Sequence, residues 1–237
     1  TWSIDGASVD GSSYTPDKSG TYTLKCEAKK DGYSLTKSVT ITVVGAASIT
    51  AAPENAEIEY GTTALPESLA KLTATIKEGY SVTAQWFVKG ENGADDGVLT
   101  SDRALADGQR YSSSAMSILD AGTYQVYCRL TVRNSENATV DEFDSDAVTL
   151  TVKQKTLTKD DLAYTGETIT KVYDGGMACT ASASGFKIKD DVKVQSGDTL
   201  PTVNGTFAYV SKNVSSNAKI IFTTKKTENK NYILPAD

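Results

Sequence analysis

The chain has 237 residues, with 24 Lys plus Arg against 30 Asp plus Glu, no His, three Cys and a net charge of −6. That balance offers no basic footprint for phosphates, which argues against nucleic-acid binding and against attraction to an anionic membrane surface. Thr, Ser, Val, Ala and Tyr fill runs of alternating apolar and polar residues while long helical patterns are missing, so an all-β chain of roughly one to three domains is expected.

Residues 1–45 begin with Trp2-Ser3-Ile4-Asp5 and a Gly-rich turn, followed by Ser13-Tyr14-Thr15-Pro16 and a strand over Gly20 to Ala28. An Asp31-Gly32 turn leads to a last strand with Val39, Ile41 and Val43 inward. Strand side chains alternate between faces, which puts Tyr22, Leu24, Cys26 and Ala28 on one side. The segment Gly-Thr-Tyr-Thr-Leu-Lys-Cys at 20–26 returns as Gly-Thr-Tyr-Gln-Val-Tyr-Cys at 122–128, each copy downstream of one of the two Trp residues. A Trp on one strand and a Tyr-to-Cys strand entered through Asp and Gly is how an immunoglobulin-like sandwich closes its core. Residues 1–45 hold only the later strands of such a sandwich. Because a partial sandwich exposes core and sheet edges, this segment is expected to self-associate with another chain or to cover itself against the next segment.

Residues 46–153 have the length of a complete sandwich. Ser48–Ala52 and Ile58–Tyr60 read as edge strands, and Leu69–Ile76 places Leu72, Ala74 and Ile76 inward. Val82, Ala84, Trp86 and Val88 form the Trp strand, Ser114–Leu119 leads to the Gly122 strand, and Val148, Leu150 and Val152 close the domain. The interval from Trp86 to Cys128 carries an insertion over Gly90–Tyr111, a polar Gly/Asp-rich stretch of the kind found at binding ends of sandwiches.

Residues 154–237 change character. They carry Lys171-Val172-Tyr173-Asp174-Gly175, Asp190-Asp191-Val192, Ser211-Lys212-Asn213-Val214 and Asn231-Tyr232-Ile233-Leu234, in that order. This set resembles the YDG domain of bacterial surface proteins, although Ser215 and Ser216 stand where that family has Gly. The resemblance implies a repeated, secreted β module of large adhesin-like chains and brings no catalytic residues with it. The first two segments resemble bacterial immunoglobulin-like repeats running Trp-x-x-Asp-Gly to Gly-Thr-Tyr. Together these imply tandem immunoglobulin-like sandwiches, the first truncated, plus a C-terminal YDG-type β domain. They also imply an extracellular or cell-surface location.

The residue types speak against chemistry. Catalysis by a Ser or Cys nucleophile usually borrows a His, and the chain has none. No Ser-x-x-Lys in a helical setting replaces it. The acid pairs Asp95-Asp96, Asp141-Glu142 and Asp190-Asp191 sit in turn-like contexts and read as solvated acids rather than glycosidase carboxylates. Asp141, Glu142, Asp144 and Asp146, and separately Asp95, Asp96 and Asp102, are the calcium candidates, but neither group follows an EF-hand pattern. Cys26, Cys128 and Cys179, one per segment, read as buried thiols rather than a disulfide or zinc framework. No enzyme activity, metal or cofactor is expected. Lys171, Asn231 and Asp174 offer the groups of a Lys-to-Asn or Lys-to-Asp crosslink beside an acid, as some surface stalks use.

The outward faces are more informative. If the Trp and Gly122 strands are neighbours, Gln85, Phe87, Tyr127 and Arg129 share one exposed patch of aromatic and polar character, the residue types enriched at binding hot spots. The partner expected for it is a glycan or a host or cell-surface protein. No apolar run reaches the ~20 residues that span a bilayer, and the start at Thr1-Trp2 shows neither Met nor signal peptide, so a piece of a longer chain is expected. The functional expectation is a non-catalytic spacer and adhesion module of a bacterial surface or secreted protein. The alternative is a carbohydrate-binding accessory region of a larger extracellular enzyme.

Overall fold

The computed structural model describes residues 1–9, 14, 20–91, 94–112, 115–166, 168–179, 185–225 and 227–234. Ser13, Thr15 and Pro16, Asn92 and Gly93 of the inserted stretch, and Ser114 of the segments above lie outside them. The strands are β1 (Trp2–Ile4), β2 (Ala7–Val9), β3 (Gly20–Lys30), β4 (Tyr33–Val43), β5 (Ala47–Ala51), β6 (Ala56–Glu59), β7 (Thr73–Ile76), β8 (Ser81–Val88), β9 (Gly97–Val98) and β10 (Arg103–Leu105). They continue as β11 (Gly122–Arg133), β12 (Thr139–Asp144), β13 (Val148–Lys153), β14 (Lys155–Thr156), β15 (Leu162–Tyr164), β16 (Phe186–Ile188), β17 (Gly205–Tyr209), β18 (Ile220–Thr224) and β19 (Tyr232–Ile233). Among the described residues, short 3-10 turns at Lys159–Asp161 and Asp190–Val192 interrupt an otherwise all-β fold. Among the described residues no helix is long and apolar enough to cross a membrane.

Two compact units emerge. One comprises residues 1–54, 67–113 and 126–147, the other residues 55–66, 114–125 and 148–237.

In the first unit, β1 to β4 form a sheet of order β2-β1-β3-β4. Its hairpins turn on Asp5-Gly6 and Asp31-Gly32, whose φ angles of 47°, 87°, 51° and 83° are left-handed, the conformation Asp tolerates and Gly favours. β3 and β4 pair over all eleven residues from Gly20↔Val43 to Lys30↔Tyr33 without a bulge. Of the residues expected inward on this sheet, Tyr22, Leu24, Cys26 and Val43 are half-buried and Ala28, Val39 and Ile41 are open. Val39 is 54% and Ile41 39% exposed, with Trp2 at 47% and Leu35 at 62% on the same sheet, whereas Ile4, in line with Leu24 and Val39, is buried at 7%.

The rest of the first unit builds a closed core. β5 pairs with β7, and β8 lies between β10 and β11 in antiparallel register, with Cys128 opposite Trp86 and Leu130 opposite Ala84. On β8 and β11 alternate residues are hidden, with Val82, Ala84, Trp86, Cys128, Leu130 and Val132 at most 2% exposed, while Val88 and Ile76, expected inward, are half-buried. Leu69 and Leu72 are buried ahead of β7, which begins only at Thr73, because Leu72 N–H closes a turn onto Leu69 O. Tyr111 stands edge-on to Trp86 at 6.3 Å, its N–H bonded to Leu72 O. Each fully buried large apolar side chain contributes about 1.5–3 kcal/mol before the entropy of ordering it.

In the second unit, β6 and β13 pair in parallel with Leu150 opposite Ala56, and β14 pairs in parallel with β19. The two-stranded ribbons β15-β16 and β17-β18 bring Phe186, Phe207 and Phe222 together, with centroids 4.5–5.6 Å apart. Leu157, Leu150, Tyr60 and Tyr232 are almost completely buried.

Candidate binding face

The β8-β11 register sets Phe87 opposite Tyr127 and Gln85 opposite Arg129. With Trp86 and Cys128 on the hidden face, alternation leaves these four on the other one. The two rings stack at 5.6 Å and 15°, and the Arg129 guanidinium lies 5.4 Å from the Phe87 centroid and 5.6 Å from that of Tyr127. A cation over two aromatic rings is a favourable electrostatic arrangement.

Carboxylates from two further segments fix this cluster. Asp144 of β12 sits directly across from Arg129 and accepts two hydrogen bonds, from Nε at 2.7 Å and Nη2 at 3.0 Å. That forked geometry raises the Arg129 pKa. The Tyr127 hydroxyl donates to Asp96 Oδ2, while Asp96 Oδ1 accepts from Gly90 N–H at 2.7 Å. The Tyr127 bond, with the Gly90 amide second, holds the Asp96 carboxyl below its ordinary range. Burial, then Asp96, pushes the Tyr127 hydroxyl up to about 12. The inserted stretch after β8 is thereby latched onto the face.

The expected patch is therefore assembled but less open than alternation alone suggests. Tyr127 is only 6% exposed, and Phe87, Gln85 and Arg129 are half-buried. Gln85 turns its amide to Thr100 O at 2.9 Å. Asp96 and Asp144 complete the cluster; from sequence Asp96 reads as a solvated turn acid and Asp144 only as one of the calcium candidates. The available signal was the position of Asp144 on a strand following the β11 turn, in reach of an Arg on the facing strand.

The other candidates separate. Asp141 caps the N–H of Glu142, whose own carboxylate lies 3.7 Å from Arg129, and among the described residues no group of three or more metal-ligating side chains gathers. Cys128 is buried, and burial raises its thiol pKa; Cys26 and Cys179, expected buried, are half-buried, and all three are free thiols. Lys171 Nζ reaches Asp174 Oδ1 at 2.8 Å, Ala178 O at 2.8 Å and Gly176 O at 3.1 Å. Asn231 is held elsewhere, its Nδ2 donating to Asp120 Oδ1 and its Oδ1 accepting from Ala121 N–H. Lys171, Tyr173 and Asp174 line one cleft of about 730 Å³ with Tyr209, Asn213 and Asn217, so two of the sequence motifs of the last segment converge.

A YDG domain is found at residues 153–237. No curated protein and no solved structure shows significant similarity to the chain.

Proposed function

We propose, from the YDG domain at residues 153–237, that this chain is a non-catalytic segment of a bacterial cell-surface or secreted protein that serves as a spacer carrying an adhesive face. That domain in an all-β chain is the observation that carries the reading, since modules of this family stand in large adhesin-like proteins. The preceding segments then read as immunoglobulin-like repeats. Stacked rings and a guanidinium held by fixed carboxylates would supply the adhesive face, because aromatic and Arg side chains locked by neighbours lose little entropy on binding.

The test is a glycan array and a cell-surface binding assay with the chain and its Phe87→Ala variant. Binding that the substitution removes while the melting temperature holds supports the adhesive face. No binding in either assay leaves a spacer only. A carbohydrate-binding accessory role beside an extracellular enzyme is favoured by the Phe87-Tyr127 stack, since flat rings stack on sugars. Selective retention of one polysaccharide by the chain would support that second reading.

A further inference from the structure

The strand that follows the Tyr-to-Cys segment is itself repeated. Val39-Thr40-Ile41-Thr42-Val43 of β4 matches Val148-Thr149-Leu150-Thr151-Val152 of β13. The two copies meet different fates. β13 is paired along an edge by β6, running parallel, with Leu150 opposite Ala56 and Val152 opposite Ile58. Leu150 is 0% and Val152 3% exposed. β4 ends its sheet, and among the described residues no strand pairs with its outer edge. Ile41 and Val39, where the motif places Leu150 and Val148, are 39% and 54% exposed.

The edge is also unprotected. β4 pairs with β3 through eleven positions with no bulge, holds no Pro, and has Lys37 as its one charge. Natural edges are blunted by charges, prolines, bulges or short length. Val39–Val43 has none of these.

We infer that the outer edge of β4 over Val39–Val43 is an acceptor for an added strand. Its occupant is an extended polypeptide running parallel to β4, with small or branched apolar side chains opposite Ile41 and Val43 and polar ones between, as β6 offers Ala56, Glu57, Ile58 and Glu59 to β13. Main-chain hydrogen bonds supply the affinity of such an addition and the alternating side chains its selectivity.

The experiment adds a synthetic peptide of residues 53–62, which contains β6, in excess to the full chain and follows amide hydrogen exchange. Exchange at Val39–Val44 slows by about tenfold or more, residues 148–153 remain as protected as before, and a peptide carrying A56D and I58D has no effect. Three outcomes with the parent chain overturn the inference. The first is unchanged exchange at Val39–Val44. The second is equal slowing by the substituted peptide. The third is a dimer in sedimentation whose β4 amides are protected without peptide, which would give the edge to a second copy. The Ile41→Asp chain, checked for unchanged β content by circular dichroism, removes the slowing; retained slowing in that variant also refutes it.

Discussion

The hydroxyl of Tyr60 donates a 2.6 Å hydrogen bond to Asp198 Oδ1, linking residues 138 positions apart. The second Asp198 oxygen accepts from the hydroxyl of Tyr232, and the two rings meet edge-to-face at 5.4 Å. Val194 N–H donates to Tyr232 Oη at 2.9 Å, so the whole group is satisfied around one carboxylate. Asp120 plays a similar part for the two residues before Tyr232, bonded to Lys230 and Asn231.

Removing that carboxylate strands two buried hydroxyls. Asp198→Ala is expected to lower the stability of the second unit by about 2 kcal/mol or more, and Tyr60→Phe by about 1 kcal/mol, since an unpaired buried donor costs more than a deleted one. Urea titration of the full chain measures both; equal losses would contradict this ordering.

Stability should fall at both ends of the pH scale. Burial alone would raise the Asp198 pKa, but the Tyr232 and Tyr60 hydroxyls outweigh it and lower it below 3.8, and Lys230 with Asn231 does the same for Asp120. Carboxylates depressed in the folded state stabilise above their unfolded pKa, and that contribution is lost as the pH drops below about 4. Tyr232, raised from 10.0 to about 12 chiefly by burial and then by Asp198, favours folding below pH 10 and loses that contribution as the pH rises toward 12. Denaturation series across pH should show both limbs, and Asp198→Asn should flatten the acid one.

Trp86 is 0% exposed, stands edge-on to Tyr111, and its indole N–H has no acceptor among the described residues. Its contribution is therefore volume and ring contact. Trp86→Ala is expected to cost about 3–5 kcal/mol, seen as a lower melting temperature and loss of near-ultraviolet dichroism. An unchanged melt would contradict its place in the core.

Arg129→Lys keeps the charge but cannot reproduce the fork onto Asp144. The β11-β12 pairing should weaken by about 1 kcal/mol, with a smaller effect at high salt. Exchange at Leu130–Val132 that matches the parent chain would show that the fork contributes nothing.

Gly205 begins β17, and a Cβ there would lie 2.2 Å from Thr223 O and 2.6 Å from the Phe222 ring. Gly205→Ala should push β18 away and loosen the Phe186, Phe207 and Phe222 stack, lowering stability by about 1–3 kcal/mol. A melt within error of the parent chain would mean the ribbon yields freely.

Local periodicity determined a good deal by itself. Alternation from Val82 to Val88 and from Tyr124 to Val132 was enough to predict two strands, their hidden Trp86 and Cys128, and a shared outer face for Phe87 and Tyr127. The Asp31-Gly32 turn was legible for the same local reason, and four ordered motifs marked residues 154–237 as resembling a YDG domain, which is found at 153–237. What alternation cannot carry is the identity of whatever lies beyond a strand. Val39 and Val148 open the same five-residue pattern, yet only the tertiary structure leaves one open and gives the other's strand β6 as a neighbour. Asp96, read as a solvated turn acid, and Asp144, read as a calcium candidate, find Tyr127 and Arg129 only through the inserted loop and the sheet register. Asp198 became the partner of Tyr60 for the same reason: hydrogen bonds between distant residues depend on chain paths that no local pattern encodes.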